Sequence, residues 1–294
     1  MISRKKYLLK VASGKLLLGE RTLVMGVLNV TPDSFSDGGK FFAEEQAMQH
    51  AVQMEIDGAD LIDVGGESTR PGSEEISIEA ELRRVLPVLD GLRRLLKIPI
   101  SIDTQKAEVA EAALDAGAQI INDISGLKND PRIAEVAARR RVPLILMHRR
   151  GEPRTMQAGP FARDVMKDVM QGLRKSVEIA RKAGVAKSQI VLDPGIGFGK
   201  SFAQNYELLQ KLPQLVKLGY PLLVGTSRKG FLGATLARDG KPAPPEERIG
   251  GTAATVTASI LNGVHVVRVH DVEEMVKVAR VADCLLDPKQ RPRN

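Results

Sequence analysis

Residues that can carry charge or hydrogen-bond a ligand recur along this chain, each at or near the end of a short apolar segment. They are Asn29, Asp63, Asp103, Asn122 with Asp123, His148, Asp193, Ser227–Lys229, Arg268 and His270. Polar residues often follow strands simply because loops are polar, but Asp63, Asp103 and Arg268 lie inside the apolar segments. A charge in such a position is costly unless it is paired or bound to a ligand. The set as a whole therefore indicates a binding or catalytic site.

The apolar segments have the length and β-branched composition of strands. They are Thr22–Asn29, Asp60–Gly65, Ile98–Asp103, Gln119–Asp123, Pro143–His148, Gln189–Asp193, Pro221–Thr226 and Val264–His270. Stretches with apolar residues at helical spacing lie between and after them. These stretches include Glu44–Asp57, Ile78–Leu96, Lys106–Ala116, Pro131–Arg140 and Val272–Cys284. Eight strand–helix units predict an α/β protein with a single (β/α)₈ TIM barrel, whose strand ends meet in one mouth where the active site lies.

The length of the chain, 294 residues, suits one such barrel, since roughly 250 residues are typical. We therefore expect a single domain over residues 1–294. Residues 1–21 form an N-terminal extension, residues 22–284 the barrel and residues 285–294 a tail. Tyr7–Leu18 reads as two short strands around Ser13 and Gly14, which predicts a β-hairpin covering the bottom of the barrel.

Composition limits the classes of partner. The net charge of +7 is compatible with nucleic acid, an acidic membrane or small anions, but aromatic residues are 3% and there is no Trp, which disfavours a nucleic-acid stacking surface. No apolar run is long enough to cross a bilayer. The single cysteine, Cys284, predicts a reducing, cytoplasmic setting. We expect small-molecule substrates, with no nucleic acid and no membrane as partners.

Three loops have the composition of working loops. Val30–Phe42 and Gly66–Glu75 are rich in Gly and Ser and could close over a substrate, although each alone could be a plain exposed turn. The third, DPGIGFGKS at Asp193–Ser201, fails the P-loop pattern because the required first glycine falls on Pro194. Its glycines instead suit close approach of the backbone to a flat ligand.

The segment after the seventh predicted strand, Ser227–Gly230, opens a helix at a place where such barrels often bind phosphate. Arg268 and His270, from the eighth strand, would face the same place, so we expect an anionic substrate group there. The histidines form no zinc motif, whereas a Mg²⁺ ion held mostly by substrate phosphate stays open. The absence of a GxSxG motif disfavours a serine nucleophile.

Seven motifs together closely resemble the dihydropteroate synthase family. They are GVLNVTPDSFSDGG (Gly26–Gly39), IDVGGESTRPG (Ile62–Gly72), SIDT (Ser101–Thr104), INDISG (Ile121–Gly126), LDPGIGFGK (Leu192–Lys200), GTSRKGF (Gly225–Phe231) and VRVHDV (Val267–Val272). The resemblance implies a transferase of folate biosynthesis that joins 6-hydroxymethyl-7,8-dihydropterin diphosphate to 4-aminobenzoate. It also implies Mg²⁺, a homodimer and a target of sulfonamides.

The resemblance also implies roles for single residues. Pterin binding is implied for Asp103, Asn122, Asp193 and Lys229, with Asp103, Lys229 and Asp193 as the catalytic set. Diphosphate binding is implied for Thr69, Arg268 and His270, and metal binding for Asn29. Aminobenzoate binding or loop closure is expected of Pro32, Asp33, Phe35, Arg70, Phe198, Ser227 and Arg228.

The mechanism that we expect is dissociative substitution at the pterin methylene, with Asp103 stabilising the cation and the closed loops excluding water. Gly230 departs from the family, in which many members have Ser and so a hydroxyl for the aminobenzoate carboxylate. Two alternatives remain: a non-catalytic pterin-binding paralogue and a pterin-dependent corrinoid methyltransferase. The latter is not expected to combine VTPDSFSDGG with the SRK segment.

Overall fold

The computed structural model describes residues 4–31, 40–68, 73, 75–152, 155–156 and 158–288, except for the side chains of residues 40–43. In this part of the chain, eight parallel strands form one sheet. The strands are β3 (Leu23–Asn29), β4 (Leu61–Gly65), β5 (Ile100–Asp103), β6 (Ile120–Asp123), β7 (Leu144–Met147), β8 (Ile190–Asp193), β9 (Leu223–Val224) and β10 (Val266–Val269). Their order across the sheet is β8-β7-β6-β5-β4-β3-β10-β9. A parallel bridge between Leu192 and Leu222 joins the two edges, so the sheet closes into the predicted barrel.

Helices follow the barrel strands and cover the outside of the sheet. They are α1 (Lys40–Ile56), α2 (Ile78–Leu95), α3 (Ala107–Asp115), α4 (Arg132–Arg140), α5 (Val165–Lys182), α6 (Phe202–Val216), α7 (Gly230–Thr235), α8 (Ile249–Leu261) and α9 (Val272–Leu286). A side chain caps the start of α2, of α5 and of α6. At α6, for example, Ser201 and Gln204 each bond the other's backbone N–H in a capping box. None of the described helices is long and apolar enough to span a membrane.

The predicted N-terminal hairpin is confirmed as β1 (Tyr7–Val11) and β2 (Gly14–Leu18), which pair antiparallel. Leu9 and Leu18 pack in one buried cluster with Met25 and with apolar residues near the starts of the other barrel strands. The hairpin therefore covers the bottom of the barrel. The polar residues at the carboxyl ends of the strands lie at the opposite end of the barrel, the mouth.

The register of the sheet brings those strand ends together. Asn29 pairs with Gly65, Gly65 with Asp103, and Asp103 with Asn122, across four consecutive strands. Because the strands are parallel and their register is fixed by the buried apolar residues, these polar side chains all lie at the mouth.

Candidate active site

The centre of the mouth is a buried cluster of two carboxylates, an amide and a guanidinium. Arg268 donates through Nε to Oδ2 of Asp63 at 2.6 Å and through a terminal nitrogen to Oδ2 of Asp103 at 2.8 Å. Asn122 Nδ2 donates to the same Oδ2 of Asp63 at 2.9 Å. In the described part of the chain, Oδ1 of Asp63 and Oδ1 of Asn122 are buried and have no hydrogen-bond partner. Buried polar atoms are normally satisfied, so such oxygens mark a place where a ligand can bind.

Burial also shifts the ionisation of the groups in the mouth. It raises the pKa of Asp103, and the neighbouring Arg268 offsets only part of this effect. It raises the pKa of Asp193 to about 6, with a backbone hydrogen bond and Lys229 acting in the opposite direction. It lowers the pKa of Lys229 to about 8, and Arg268 adds to this lowering. Desolvation that penalises the charged form is typical of functional sites.

The loop after β8 supports one side of the cluster. Gly195 donates its N–H to Oδ1 of Asp193 at 2.7 Å. The ammonium of Lys229 lies 4.0 Å from the centre of the Phe198 ring, a cation–π contact. Asp193, Phe198 and Lys229, which the sequence assigned to the site separately, are thus neighbours.

The loops after β9 and β10 form the next part of the mouth. The hydroxyl of Ser227 accepts from the backbone N–H of His270 at 3.1 Å and lies 3.0 Å from Nδ1 of that histidine. Burial, together with Arg268, lowers the pKa of His270 to about 3, so its imidazole is neutral. The guanidinium of Arg228 forms an ion pair with Asp271, at the start of α9. Ser227 thus contacts His270 directly, while Arg228 is engaged with Asp271.

Several predicted site residues lie outside the described residues: Pro32, Asp33, Phe35, Thr69 and Arg70. Asn29 is described and lies half-buried at the end of β3. Within the described residues no three His, Cys, Asp or Glu side chains group as a metal site. The donor set at Asn29, a single amide oxygen, fits an ion whose other ligands are substrate oxygens and water.

The structure adds two residues that sequence reasoning left without a role. The sequence marks Asp63 as a charge inside an apolar strand but assigns it no role, whereas the structure shows that its carboxylate accepts from both Arg268 and Asn122. Lys200 is fully buried beside His148, which also had no assigned role. Lys200 lies in a glycine-rich loop that has no helical or strand periodicity. The only sequence signal for it is its place at the end of the LDPGIGFGK motif.

A closed parallel barrel whose mouth holds buried carboxylates, an amide and cations is the architecture of a small-molecule enzyme. A family model described as "Pterin binding enzyme" matches residues 25–270. A dihydropteroate synthase of Synechocystis is 51% identical over 267 residues, which cover 91% of each chain.

Solved structures that resemble this chain in sequence and fold are also named dihydropteroate synthases. The Xanthomonas albilineans dihydropteroate synthase with 4-aminobenzoic acid is 41% identical, with a TM-score of 0.88 over 96% of this chain and 99% of that one. The same organism's enzyme in complex with 7,8-dihydropteroate gives a TM-score of 0.81 at 39% identity, over 92% and 96% of the two chains. The chain belongs to the pterin-binding enzymes and, within them, to the dihydropteroate synthase family.

Proposed function

We propose that this chain is a dihydropteroate synthase, a transferase that condenses 6-hydroxymethyl-7,8-dihydropterin diphosphate with 4-aminobenzoate to give 7,8-dihydropteroate and diphosphate. The observation that carries the proposal is the buried cluster of Asp63, Asp103, Asn122 and Arg268 at the barrel mouth. The proposal is supported by the family match over residues 25–270, by the relative named dihydropteroate synthase, and by the similar Xanthomonas albilineans enzymes solved with 4-aminobenzoic acid and with 7,8-dihydropteroate.

The pterin binds to Asp103, Asn122, Asp193 and Lys229. A pterin edge carries N–H donors as well as acceptors, so carboxylate and amide oxygens match its donors and the ammonium of Lys229 matches its carbonyl. The unpartnered Oδ1 atom of Asn122 supports this assignment, because a bound N–H would satisfy it.

The diphosphate binds to Arg268 and His270, with Thr69 completing the set. The recorded bonds of Arg268 use Nε and one terminal nitrogen, and a guanidinium has five N–H donors. Because Oγ of Ser227 already accepts from the backbone of His270, its hydroxyl can donate to Nδ1 of the ring. This leaves the ring proton of His270 on Nε2, where it can donate to a diphosphate oxygen.

Asn29 would hold Mg²⁺ together with substrate oxygens, and the ion would supply neutralisation of the charge on the leaving group. The aminobenzoate lies against Phe198 and Lys229, near Ser227 and Arg228. Pro32, Asp33, Phe35 and Arg70, which lie outside the described residues, are proposed to help exclude water from this subsite. Sulfonamides, as analogues of aminobenzoate, are expected to compete at this subsite.

The chemical step is substitution at the pterin methylene. The C–O bond to diphosphate breaks, its electron pair leaves with diphosphate, and the cation delocalises into the ring. Ionised Asp103, with Asp193, stabilises that positive charge electrostatically. The lone pair of the aminobenzoate nitrogen then forms the C–N bond, and one N–H proton passes from that nitrogen to the released diphosphate. This route requires no covalent enzyme intermediate.

We also propose that the protein is a cytoplasmic homodimer. The single cysteine supports a reducing compartment. The exposed apolar side chains of Leu236, Ile249, Val281 and Leu285 lie on or next to α7, α8 and α9, and an association surface at these helices would cover them. Sedimentation equilibrium at micromolar protein tests this directly, since a mass of 31.9 kDa would mean a monomer.

One assay tests the activity. The protein is supplied with the pterin diphosphate and Mg²⁺, and diphosphate release is measured with and without 4-aminobenzoate. We expect release that depends on aminobenzoate and matches the dihydropteroate formed. Pterin binding without release by folded protein would instead favour the non-catalytic paralogue, and methyl transfer from a methylated pterin to a corrinoid protein would favour the methyltransferase.

A further inference from the structure

Lys200 has a buried ammonium to which the proposed chemistry gives no role. Its side chain is 1% exposed. Nζ donates to the carbonyl oxygens of His148 at 2.9 Å and Phe198 at 3.0 Å, and it lies 3.0 Å from Nδ1 of His148. A buried ammonium is costly unless it is hydrogen-bonded, and burial lowers the pKa of Lys200 to about 7; below that pH its three donors have three partners. The contacts are therefore specific ones that the fold maintains against this cost.

These bonds fasten the loop at residues 194–200 to the end of β7. The loop lies so close to that strand end that a Cβ atom on Gly195 would collide with the carbonyl oxygen of His148, and one on Gly199 with that of Arg150. Both glycines also have positive φ, +67° and +69°. On its other side the loop is held by Asn205 of α6, whose Oδ1 accepts from the N–H of Gly197 at 2.6 Å. Lys200 is the attachment on the β7 side.

The same loop reaches the candidate active site at two points. Its Gly195 N–H binds the carboxylate of Asp193, and its Phe198 ring supports the ammonium of Lys229. The carbonyl that Lys200 holds belongs to Phe198 itself. A shift of the loop would therefore move the orienting partners of both Asp193 and Lys229 at once.

His148 is the partner that receives the ammonium. Burial, with the nearby Lys200, lowers the pKa of His148 to about 2, so the imidazole is neutral and Nδ1 accepts. The ring proton is then on Nε2, which lies 3.5 Å from Oδ2 of Asp168 on α5. Asp168 is held in turn by Arg150 at 3.0 Å. Asp168 on α5 therefore holds the Nε2 side of the His148 ring, and Nδ1 on the other side is a fixed acceptor for Lys200.

We propose that Lys200 is a positioning residue for the reaction, and that with His148 it fixes the loop that orients Asp193 and Lys229 toward the pterin. This inference rests on the proposed function, because it assigns those two residues to the substrate. Lys200 touches no reacting atom. It acts through the backbone of Phe198 and through the loop that begins at Asp193.

The main test is Lys200→Met, with Lys211→Met as the matched control. Lys211 follows on α6, half-exposed, and pairs only with Glu207 in the described contacts. We expect Lys200→Met to raise the KM for the pterin diphosphate about tenfold or more, with a smaller fall in kcat, because misplaced binding groups weaken ground-state contacts. Calorimetric affinity for an unreactive pterin should weaken by a similar factor. The control variant should keep wild-type values.

Rescue separates positioning from a general loss of structure. Lys200→Ala removes three methylene groups and the ammonium, which together correspond to propylammonium. Added propylammonium should lower the raised KM toward the wild-type value, whereas propanol should not. If Lys200 variants do not fold, His148 provides a second route: His148→Leu should raise the KM, and His148→Asn, which keeps a polar group near the position of Nδ1, should raise it less.

The outcomes are distinguishable. No aminobenzoate-dependent diphosphate release by the wild type would overturn the proposed function itself. An active wild type, with a KM for Lys200→Met equal to that of Lys211→Met, would overturn the positioning role alone. A lower melting temperature for Lys200→Met with unchanged KM and pterin affinity would likewise assign Lys200 to stability and overturn the inference.

Discussion

The two ends of the barrel bury charge in different ways. At the bottom, the guanidinium of Arg4 pairs with Asp283 at 2.6 Å and also donates to Thr22, while Asp283 accepts the N–H of Thr22 at 2.7 Å. At the mouth, Asp63 and Asn122 keep buried oxygens without partners, and Asp103, Asp193 and Lys229 have shifted pKa values.

This difference separates stability from function within one sheet. The bottom is capped by the apolar hairpin, and the Arg4–Asp283 pair there is satisfied by its own contact and by Thr22, although the buried hydroxyl of Tyr7 has no hydrogen-bond partner among the described residues. The mouth holds charges whose burial is not fully compensated by protein groups, which costs stability and leaves capacity for a ligand. Changes at the bottom should therefore alter unfolding, and changes at the mouth should alter catalysis.

The largest effect is expected from Asp103→Asn at the mouth. Turnover should fall about a thousandfold, because the amide cannot stabilise a developing cation. The affinity for the pterin should change far less, since the amide keeps the shape and an acceptor. Steady-state kinetics and pterin calorimetry check this. Equal losses in turnover and in pterin affinity would contradict a charge-stabilising role. A large loss in the free energy of unfolding would contradict the separation of stability at the bottom from function at the mouth.

Arg4→Met tests the bottom. Removing one partner of a buried ion pair leaves Asp283 uncompensated, so the free energy of unfolding should fall by about 3 kcal/mol. Urea denaturation measures this change, and kcat/KM at temperatures below unfolding should stay at the wild-type value. Adding Asp283→Asn to the variant should recover part of the loss. A fall in activity of the folded single variant would show that the two ends are not independent.

The bottom should also respond to acid through His265. Its Nδ1 accepts from the N–H of Leu222 at 3.1 Å, and burial lowers its pKa to about 4. A histidine with a lowered pKa contributes stability above its unfolded pKa, about 6.5, and that stability is lost as the pH falls toward the folded value. Unfolding free energy should therefore drop by about 2 kcal/mol between pH 7 and 4.5. In His265→Gln this part of the dependence should vanish, and its persistence would assign the loss to other groups.

At the mouth, pH should act on kcat/KM instead. Asp193 ionises only above its raised pKa of about 6, and Lys229 is charged only below its lowered pKa of about 8. A bell-shaped profile between these values follows, with limbs of about tenfold per pH unit. Asp193→Asn should change the acid limb, leaving the part set by Asp103, whose pKa burial also raises, and should keep the alkaline limb. An unchanged acid limb in that variant would remove Asp193 from the assignment.

The smallest effect is expected at Gly230. A Cβ atom there would meet nothing within 4 Å, so Gly230→Ser fits without strain and adds a hydroxyl at the start of α7. We expect the KM for aminobenzoate to fall about threefold or less, because Gly230 is exposed and a hydroxyl there competes with water for the carboxylate, which reduces the usual contribution of a hydrogen bond to a charged group. Gly230→Ala is the control and should not change the KM. A wild-type KM in the Ser variant would show that the added hydroxyl is not used, and that the backbone N–H at residue 230 is sufficient to bind the aminobenzoate carboxylate.

The sequence by itself determined the barrel, the hairpin and the strand ends that line the mouth. Apolar periodicity and turn residues are local signals, and each of the eight predicted strands overlaps an observed one. Asp103, Asn122, Asp193 and Arg268 could be found because a charge or amide interrupts an apolar strand, which is visible along the chain.

Only the tertiary structure decided which of these residues meet. The bonds from Arg268 to Asp63 and Asp103 join strands far apart in sequence, and no spacing along the chain encodes them. The same holds for Lys200, whose neighbours His148 and Phe198 become its acceptors only because the loop folds back on β7. Burial, which sets the cost of each charge, arises from the closed barrel and not from any single segment.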